Sequence, residues 1–375
     1  MQETNSVVKN IARNIRSRRK ELKMTQSELA DLLGYSAKAV SKWESGAGAP
    51  PTVILPNLAQ VLQTNLDTLM GDVCNRAFYL GIDGGGTKTE FALADSDGNI
   101  IKSVCLGTSN PSDIGIESAL NVLRAGIIEV CGNIPKSTIY AFAGLAGGST
   151  AGIYEKMSDF LSKFGFADMK NGSDALNAIA TSLGDSDGIS VIMGTGSVVF
   201  AQVNGKAYRV GGYGHLLGDA GSGFSLGREA ILAALCFEDG SGENTSLYEA
   251  VKEKCGTEIV LNSLGKLYSG GKREIAQYAP LVLRAYEDGD NVAKRILLDD
   301  LEKVAQSIRG AAKHLPSTKE PIRVVLCGSL CTKDDVICRV LREILANENY
   351  SISICDSPLL LGALRLAGMR QQQQG

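Results

Sequence analysis

Residues 79–95 read YLGIDGGGTKTEFALAD, and the fold turns on whether the residues after their three glycines form a helix or a strand. Glycine-rich turns hold phosphate in three architectures. A dinucleotide-binding fingerprint needs G-x-G-x-x-G at a strand end, opening a helix. A P-loop needs G-x-x-x-x-G-K-[ST], also opening a helix. Here the downstream residues are not helical. Thr89, Phe91 and Leu93 alternate with Glu90, Ala92 and Ala94, the period of a strand. Asp95-Ser96-Asp97-Gly98-Asn99 is a turn cluster, and IIKSVCL after it reads as another strand. The order is strand, glycine turn, strand, turn, strand, so an anion would be held in a β-hairpin.

The chemistry suits such a hairpin. Gly84, Gly85 and Gly86 let backbone N–H groups converge on an anion without Cβ atoms in the way. Thr87 adds a hydroxyl and Lys88 a charge at the turn. Asp83 is placed to hold Mg²⁺ through water, since Mg²⁺ keeps several waters. A tight turn that binds nothing is the competing reading of this hairpin alone. A second turn of the same kind occurs in residues 188–201, GISVIMGTGSVVFA: buried strand, Gly194-Thr195-Gly196, then strand from Ser197. Two such turns suggest two similar lobes closing on one nucleotide. A third element, RVVLCGSL at 323–330, is a strand ending in Gly328-Ser329, suited to backing an adenosine.

Outward from the body, the N-terminus differs in charge. Residues 1–50 carry nine Lys/Arg against five Asp/Glu, a net of +4, while the whole chain is −3, leaving −7 for the remainder. A basic head on an acidic body fits a head that meets a polyanion. The nine cysteines are odd in number, form no C-x-x-C and stand beside only two histidines, which argues against a Cys/His metal cluster and for reduced thiols. No apolar run approaches the ~20 residues of a membrane helix, and the polar, basic N-terminus shows no secretory signal. A cytoplasmic protein without a membrane partner is expected.

Within the head, Val7, Ile11, Ile15 and Leu22 recur at helical spacing. Thr25 and Glu28 form a capping box before Leu29, Ala30, Leu32 and Leu33, and Gly34 stops the helix. Ser36 caps the next helix, AKAVSKWES. Two short helices joined by Gly34-Tyr35-Ser36 are a helix-turn-helix. The second would enter the major groove, exposing Lys38, Ser41 and Lys42 while Val40 and Trp43 face the core; Gln26 and Ser36 would also reach DNA. The stretch TQSELADLLGYSAKAVSKWESG resembles the lambda-repressor-like (Cro/CI, XRE) family over roughly residues 9–72. That resemblance implies a duplex DNA operator and a homodimer.

The body resembles the actin, Hsp70 and sugar-kinase superfamily, with a ribonuclease H-like two-lobe α/β fold. More closely it is similar to the BadF/BadG/BcrA/BcrD-type ATPases and their N-acetylglucosamine kinase branch. The stretches that carry this are GIDGGGTKTE, GLAGG, SDALNAIA, GTGS, GGYGHLLGDAGSG and CGS. The expected organisation is an all-α head (1–72), a linker (73–78), lobe I (79–185) and lobe II (186–375), whose final helix returns to lobe I. The resemblance implies ATP and Mg²⁺ as cofactors and Asp174 as the catalytic carboxylate, ionised with an ordinary pKa. Asp174 alternatively serves only to cap the helix ALNAIATSL. Asn110, Ser197, Gly212, Tyr213, Gly214 and Asp219 would contact a sugar. His215 reads as a structural hydrogen-bonder.

Several positions depart from the pattern: Val198, Ala220 and Ser149-Thr150 stand where relatives carry other residues. These leave the phosphate apparatus intact but weaken the assignment of the sugar. The dehydratase-activator branch needs cysteines that GYGHLLGDAGSG lacks. Residues 241–315 read as helices that only pack lobe II. Two functions stay open: an ATP-dependent sugar kinase carrying a DNA-binding head, and a regulator whose body only senses a ligand.

Overall fold

The computed structural model describes residues 2–70, 77–147, 152–332 and 335–369. Most of the proposed linker, Ser149-Thr150 and the QQQQG tail lie outside them. The chain divides into two compact units, residues 1–76 and 77–375.

Among its described residues the first unit holds five α-helices: α1 (Gln2–Glu21), α2 (Gln26–Leu33), α3 (Ala37–Glu44), α4 (Leu55–Val61) and α5 (Leu66–Met70). Local chemistry sets the boundaries of α2. Thr25 accepts from the Glu28 N–H at 3.2 Å, and Glu28 accepts from the Thr25 N–H at 2.6 Å, closing the capping box. Gly34 ends α2 in the left-handed region at φ 71°. Ser36 caps α3 by accepting from Ala39 N–H at 3.3 Å. Ile15, Leu29, Val40, Trp43, Leu58, Leu62 and Leu69 form one small core. Asn14 fastens α1 to α5 through the Thr68 and Leu69 carbonyls at 3.0 and 3.2 Å.

The second unit contains two five-stranded sheets. The first is built from β1 (Phe78–Gly84), β2 (Lys88–Ala94), β3 (Ile100–Gly107), β4 (Ile139–Leu145) and β5 (Asp168–Gly172), in the order β3-β2-β1-β4-β5. The second is built from β6 (Gly188–Met193), β7 (Ser197–Val203), β8 (Lys206–Val210), β9 (Ile322–Cys327) and β10 (Tyr350–Ile354), in the order β10-β9-β6-β7-β8. Read from the other edge, the second order repeats the first. The pairing senses match too: β1 and β6 are each antiparallel to the next strand in the chain and parallel to the fourth strand of their sheet. The fold is therefore duplicated although the sequence shows no repeat.

Each sheet is covered by helices. In the first lobe, helix Ile116–Cys131 packs over Phe91, and Gly126 lets it approach, because a Cβ there would overlap the Phe91 ring. Alternation in β2 is clear near the glycines but is lost beyond Phe91, where Ala92 and Ala94 are also buried. The cause is the final helix, Leu360–Leu366, which lies on the other face of the first sheet; a side chain at Gly81 would meet the Leu364 backbone at 2.8 Å. No helix among the described residues is long and apolar enough to cross a membrane.

Candidate active site

Both glycine turns come directly after the central strand of their sheet, at its carboxyl end. In the first, Gly84 pairs with Thr89 across the hairpin and Gly85 N–H donates to Lys88 C=O at 2.9 Å. Gly84 is tightly enclosed: a Cβ would sit 2.6 Å from Leu145 and Ser109. Thr87 is exposed at the tip. Lys88 is ion-paired with Glu90 at 2.8 Å rather than standing free. In the second turn, Gly194 N–H donates to Gly196 C=O at 2.9 Å, and Thr195 is exposed. The carbonyls of Gly194 and Thr195 accept from Gly223 and Phe224 at 2.8 and 3.2 Å, which anchors the turn on helix Gly223–Glu238. Gly328, after β9, has φ 99° and lies against the Met193 backbone where no side chain fits. Ser329 is exposed beside it.

Asp83 ends up half-buried beside the first turn. Its Oδ1 accepts from Asn177 Nδ2 at 2.7 Å, and the same amide donates to Ile82 C=O at 3.3 Å. Burial pushes the Asp83 carboxyl up to about 6; the Asn177 bond opposes this, while the nearby Asp174 and Glu90 charges reinforce it. Asp174 opens helix Asp174–Ser182 but does not cap it. Ser173 is the cap, and Asp174 Oδ1 accepts from the Ala175 N–H at 3.0 Å and from Ser173 Oγ at 3.1 Å. Its carboxyl is not ordinary: burial raises its pKa, against the bonds from Ser173 and the backbone. The expectation of an unperturbed acid is corrected by this burial. Desolvation acts on both acids, and the Asp174 charge adds repulsion at Asp83, as at many reaction centres.

Asn177 was not anticipated. It is completely buried, and its Oδ1 has no hydrogen-bond partner among the described residues. Its only sequence signal is a lone amide within the apolar run ALNAIA. Gly144 in β4 makes room for it, since a Cβ there would lie 2.5 Å from the Asn177 Cγ. Gly144→Ala is expected to displace Asn177, to cost about 1–3 kcal/mol through overpacking, and to raise the Asp83 pKa further by removing the opposing bond. Denaturant melts of the full chain check the first effect.

The loop after β8 lies against the second turn. Ser197 Oγ donates to Ala220 C=O at 2.6 Å, so its hydroxyl is engaged within the loop. Gly212 fits against Val198, where a Cβ would approach to 2.7 Å. Tyr213 is 67% exposed, and Gly214 has φ 86°. The His215 ring packs edge-on against Phe224, 4.9 Å between centroids. Asp219 is 5% exposed with φ 63°, and its Oδ2 pairs with Lys272 Nζ at 2.7 Å. In lobe I, Asn110 caps the short helix Pro111–Ile114, accepting from Ser112 N–H at 3.1 Å and donating to Asp113 at 2.8 Å. Asp113 also pairs with Arg273.

Lys272 and Arg273 join these parts. A Cβ on Gly196 would lie 3.0 Å from Lys272 Nζ, and one on Gly86 would lie 3.3 Å from Arg273 Nη2. Consecutive residues thus touch the two glycine turns, so the turns share one cleft. The expectation that residues 241–315 only pack lobe II is corrected here, because these two side chains lie within that segment.

In the head, Ser36, Lys38, Ser41 and Lys42 are all exposed on or beside α3, opposite buried Val40 and Trp43. Gln26 is half-buried and donates to Glu44 at 2.8 Å. Glu44 is also bound by Arg19 at 2.5 and 2.9 Å.

Paired lobes of identical topology, each with a glycine hairpin facing one cleft, define the two-lobed sugar-kinase-like ATPase class. The chain belongs to the BadF/BadG/BcrA/BcrD ATPase family, whose model matches residues 80–359, and residues 15–69 match the helix-turn-helix family. A curated relative is the N-acetylmuramic acid/N-acetylglucosamine kinase of Clostridium acetobutylicum, 30% identical over 280 residues, 73% of this chain and 91% of that protein. A solved structure from Chromobacterium violaceum, described as a candidate N-acetylglucosamine kinase, superposes with TM-score 0.65 at 25% identity, covering 78% of this chain and 99% of that one. The head is 34% identical over 61 residues to the cryptic phage CTXphi transcriptional repressor RstR of Vibrio cholerae, 16% of this chain and 54% of the repressor.

Proposed function

We propose that the protein is an ATP-dependent sugar kinase whose N-terminal head binds operator DNA, so that sugar and nucleotide status is read out as transcriptional control. N-acetylglucosamine, N-acetylmuramic acid or a related amino sugar is the acceptor. The observation that carries this reading is the pair of glycine turns touched by adjacent residues, with Asp83 and Asp174 beside the first turn.

Phosphoryl transfer needs mainly positioning and charge stabilisation. Asp174 orients the acceptor hydroxyl toward the terminal phosphorus. As the new O–P bond forms and the bond to the departing ADP breaks, the hydroxyl proton passes to Asp174. A carboxylate whose proton affinity is raised by burial is the better acceptor for it. Gly84–Gly86 and Gly194–Gly196 hold the phosphate tail, and Gly328-Ser329 backs the adenosine. Mg²⁺ fits Asp83, a hard oxygen donor half-buried beside the first turn, whose repulsion with the Asp174 charge a divalent cation relieves. That ion would supply charge neutralisation to the phosphates. Asn110, Ser197, Gly212, Tyr213, Gly214 and Asp219 are the candidate sugar contacts.

The test is a thermal-shift screen of hexoses and N-acetylhexosamines with and without ATP–Mg²⁺, then an assay for phosphorylated sugar. Ligands that bind only the folded state raise the melting temperature. A sugar shift that grows with ATP–Mg²⁺, together with product, supports the kinase. A shift without product from any sugar leaves the body as a ligand sensor only.

For the head, Lys38, Ser41 and Lys42 face the operator, and a homodimer would present two heads to two half-sites. Operator affinity is expected to fall steeply with salt, and Lys42→Ala to reduce the log–log slope by about 1 if Lys42 contacts one phosphate. A flat salt response in a binding titration refutes the DNA role.

A further inference from the structure

Helix Leu264–Ala276 is broken at Gly271, whose φ 61° and ψ −153° are open only to glycine. The preceding Gly270 is equally constrained, because a Cβ there would lie 2.5 Å from that of Glu274. The break Gly270-Gly271 sends Lys272 and Arg273 out of the helix line and into the cleft. Lys272 meets the second glycine turn and Asp219; Arg273 meets the first turn and Asp113 of the opposite lobe. Lys88, the cation carried by the first turn itself, is committed to Glu90 at 2.8 Å. Cations that approach Gly86 and Gly196 thus come from a helix 70 or more residues further along the chain.

We propose that Lys272 and Arg273 form a two-cation clamp for the terminal phosphates of the nucleotide. This rests on the kinase reading above and adds the side chains that hold the anion. The planar guanidinium of Arg273 offers paired donors matched to phosphate oxygens, and the ammonium of Lys272 acts as a point charge. Both are paired with carboxylates, Lys272 with Asp219 and Arg273 with Asp113. The Asp113–Arg273 pair has both partners part-exposed, 36% and 44%, so it exchanges readily for a phosphate. Release of Lys272 also frees Asp219, which is 5% exposed and paired with that lysine, to accept sugar hydroxyls. Nucleotide binding thus uncovers part of the sugar site, and the two ligands bind cooperatively.

The experiment is calorimetric titration of the full chain with ATP–Mg²⁺ and separately with adenosine. Arg273→Gln and Lys272→Gln are each expected to raise the ATP Kd by about tenfold or more while leaving the adenosine Kd unchanged. Arg273→Lys, which keeps charge and loses the fork, should fall between, and it serves if the glutamine variant does not fold. Asp113→Asn, which releases Arg273, should leave ATP binding equal or tighter. Unchanged ATP affinity in both glutamine variants overturns the clamp. So does an Asp113→Asn loss as large as that of Arg273→Gln, which would make the pair a strap between lobes. A loss confined to N-acetylmuramic acid overturns it in favour of a carboxylate-binding role on the sugar. Failure of the wild-type chain to bind ATP overturns the kinase reading itself, and the clamp with it.

Discussion

Asp174→Asn is expected to lower kcat by about 10²–10⁴-fold, the range for removing a positioned general base, while the Kd for ATP–Mg²⁺ stays within a few fold of wild type. The asparagine keeps the volume and the contacts to Ser173 and Ala175, both of which involve one carboxylate oxygen. It removes the proton acceptor and one of two repelling charges. Loss of that repulsion should lower the proton affinity of Asp83, because the Asp174 charge is one of the influences raising it. A rapid-quench assay of sugar phosphate formation, beside calorimetric ATP binding, separates chemistry from binding. A variant with wild-type turnover would remove Asp174 from the reaction. A variant that loses ATP binding along with turnover would mean that the residue supports the fold of the cleft.

The glycine hairpin, the capping box and the helix-turn-helix were legible because each is written within a few residues. Period-two alternation from Thr89 onward excludes a helix after Gly86 without any tertiary information, and Thr25 with Glu28 marks a helix start by local hydrogen bonding alone. The duplicated strand order was implied only through resemblance, since backbone pairing repeats while side chains do not. What the sequence withheld lies in long-range contacts. Asn177 reaches Asp83 across 94 positions, Lys272 reaches Asp219 across 53, and Arg273 reaches Asp113 across 160. No spacing rule operates at such separations. The raised proton affinity of Asp174 was equally hidden, because burial depends on what the other strands place around it. A helix-breaking Gly270-Gly271 before Lys272-Arg273 was the one local cue to the cleft segment, and in sequence it reads as an ordinary turn.

The second large effect belongs to the head. Glu44→Ala is expected to destabilise that unit by about 3–5 kcal/mol, the cost of breaking a buried pair from one side. Arg19 and Glu44 are 9% and 7% exposed and joined by two hydrogen bonds, with Gln26 as a third donor to the carboxylate. Removing the carboxylate leaves a buried guanidinium held, among the described residues, by the Met24 carbonyl at 2.5 Å. Domains are typically stable by only about 5–15 kcal/mol, and one this small sits toward the lower end. Trp43 is the sole tryptophan of the chain and is 5% exposed in the head core, so its fluorescence reports head unfolding within the intact protein. Replacing both partners by apolar residues, Arg19→Met with Glu44→Leu, should recover most of the loss, because no orphaned charge remains. Acid should reproduce the single variant. Burial pushes the Glu44 pKa upward, but hydrogen bonds from Arg19 and Gln26 and the charges of Arg19 and Arg16 outweigh it, so the folded value lies below the ordinary one. A depressed carboxylate contributes its stability above the unfolded pKa of about 4.3 and loses it as pH falls through the folded value. The Trp43 unfolding midpoint in denaturant should therefore drop below about pH 4 in the wild-type chain and be less pH-dependent there in the double variant. Equal acid sensitivity in the two would mean that other carboxylates govern the stability of the head.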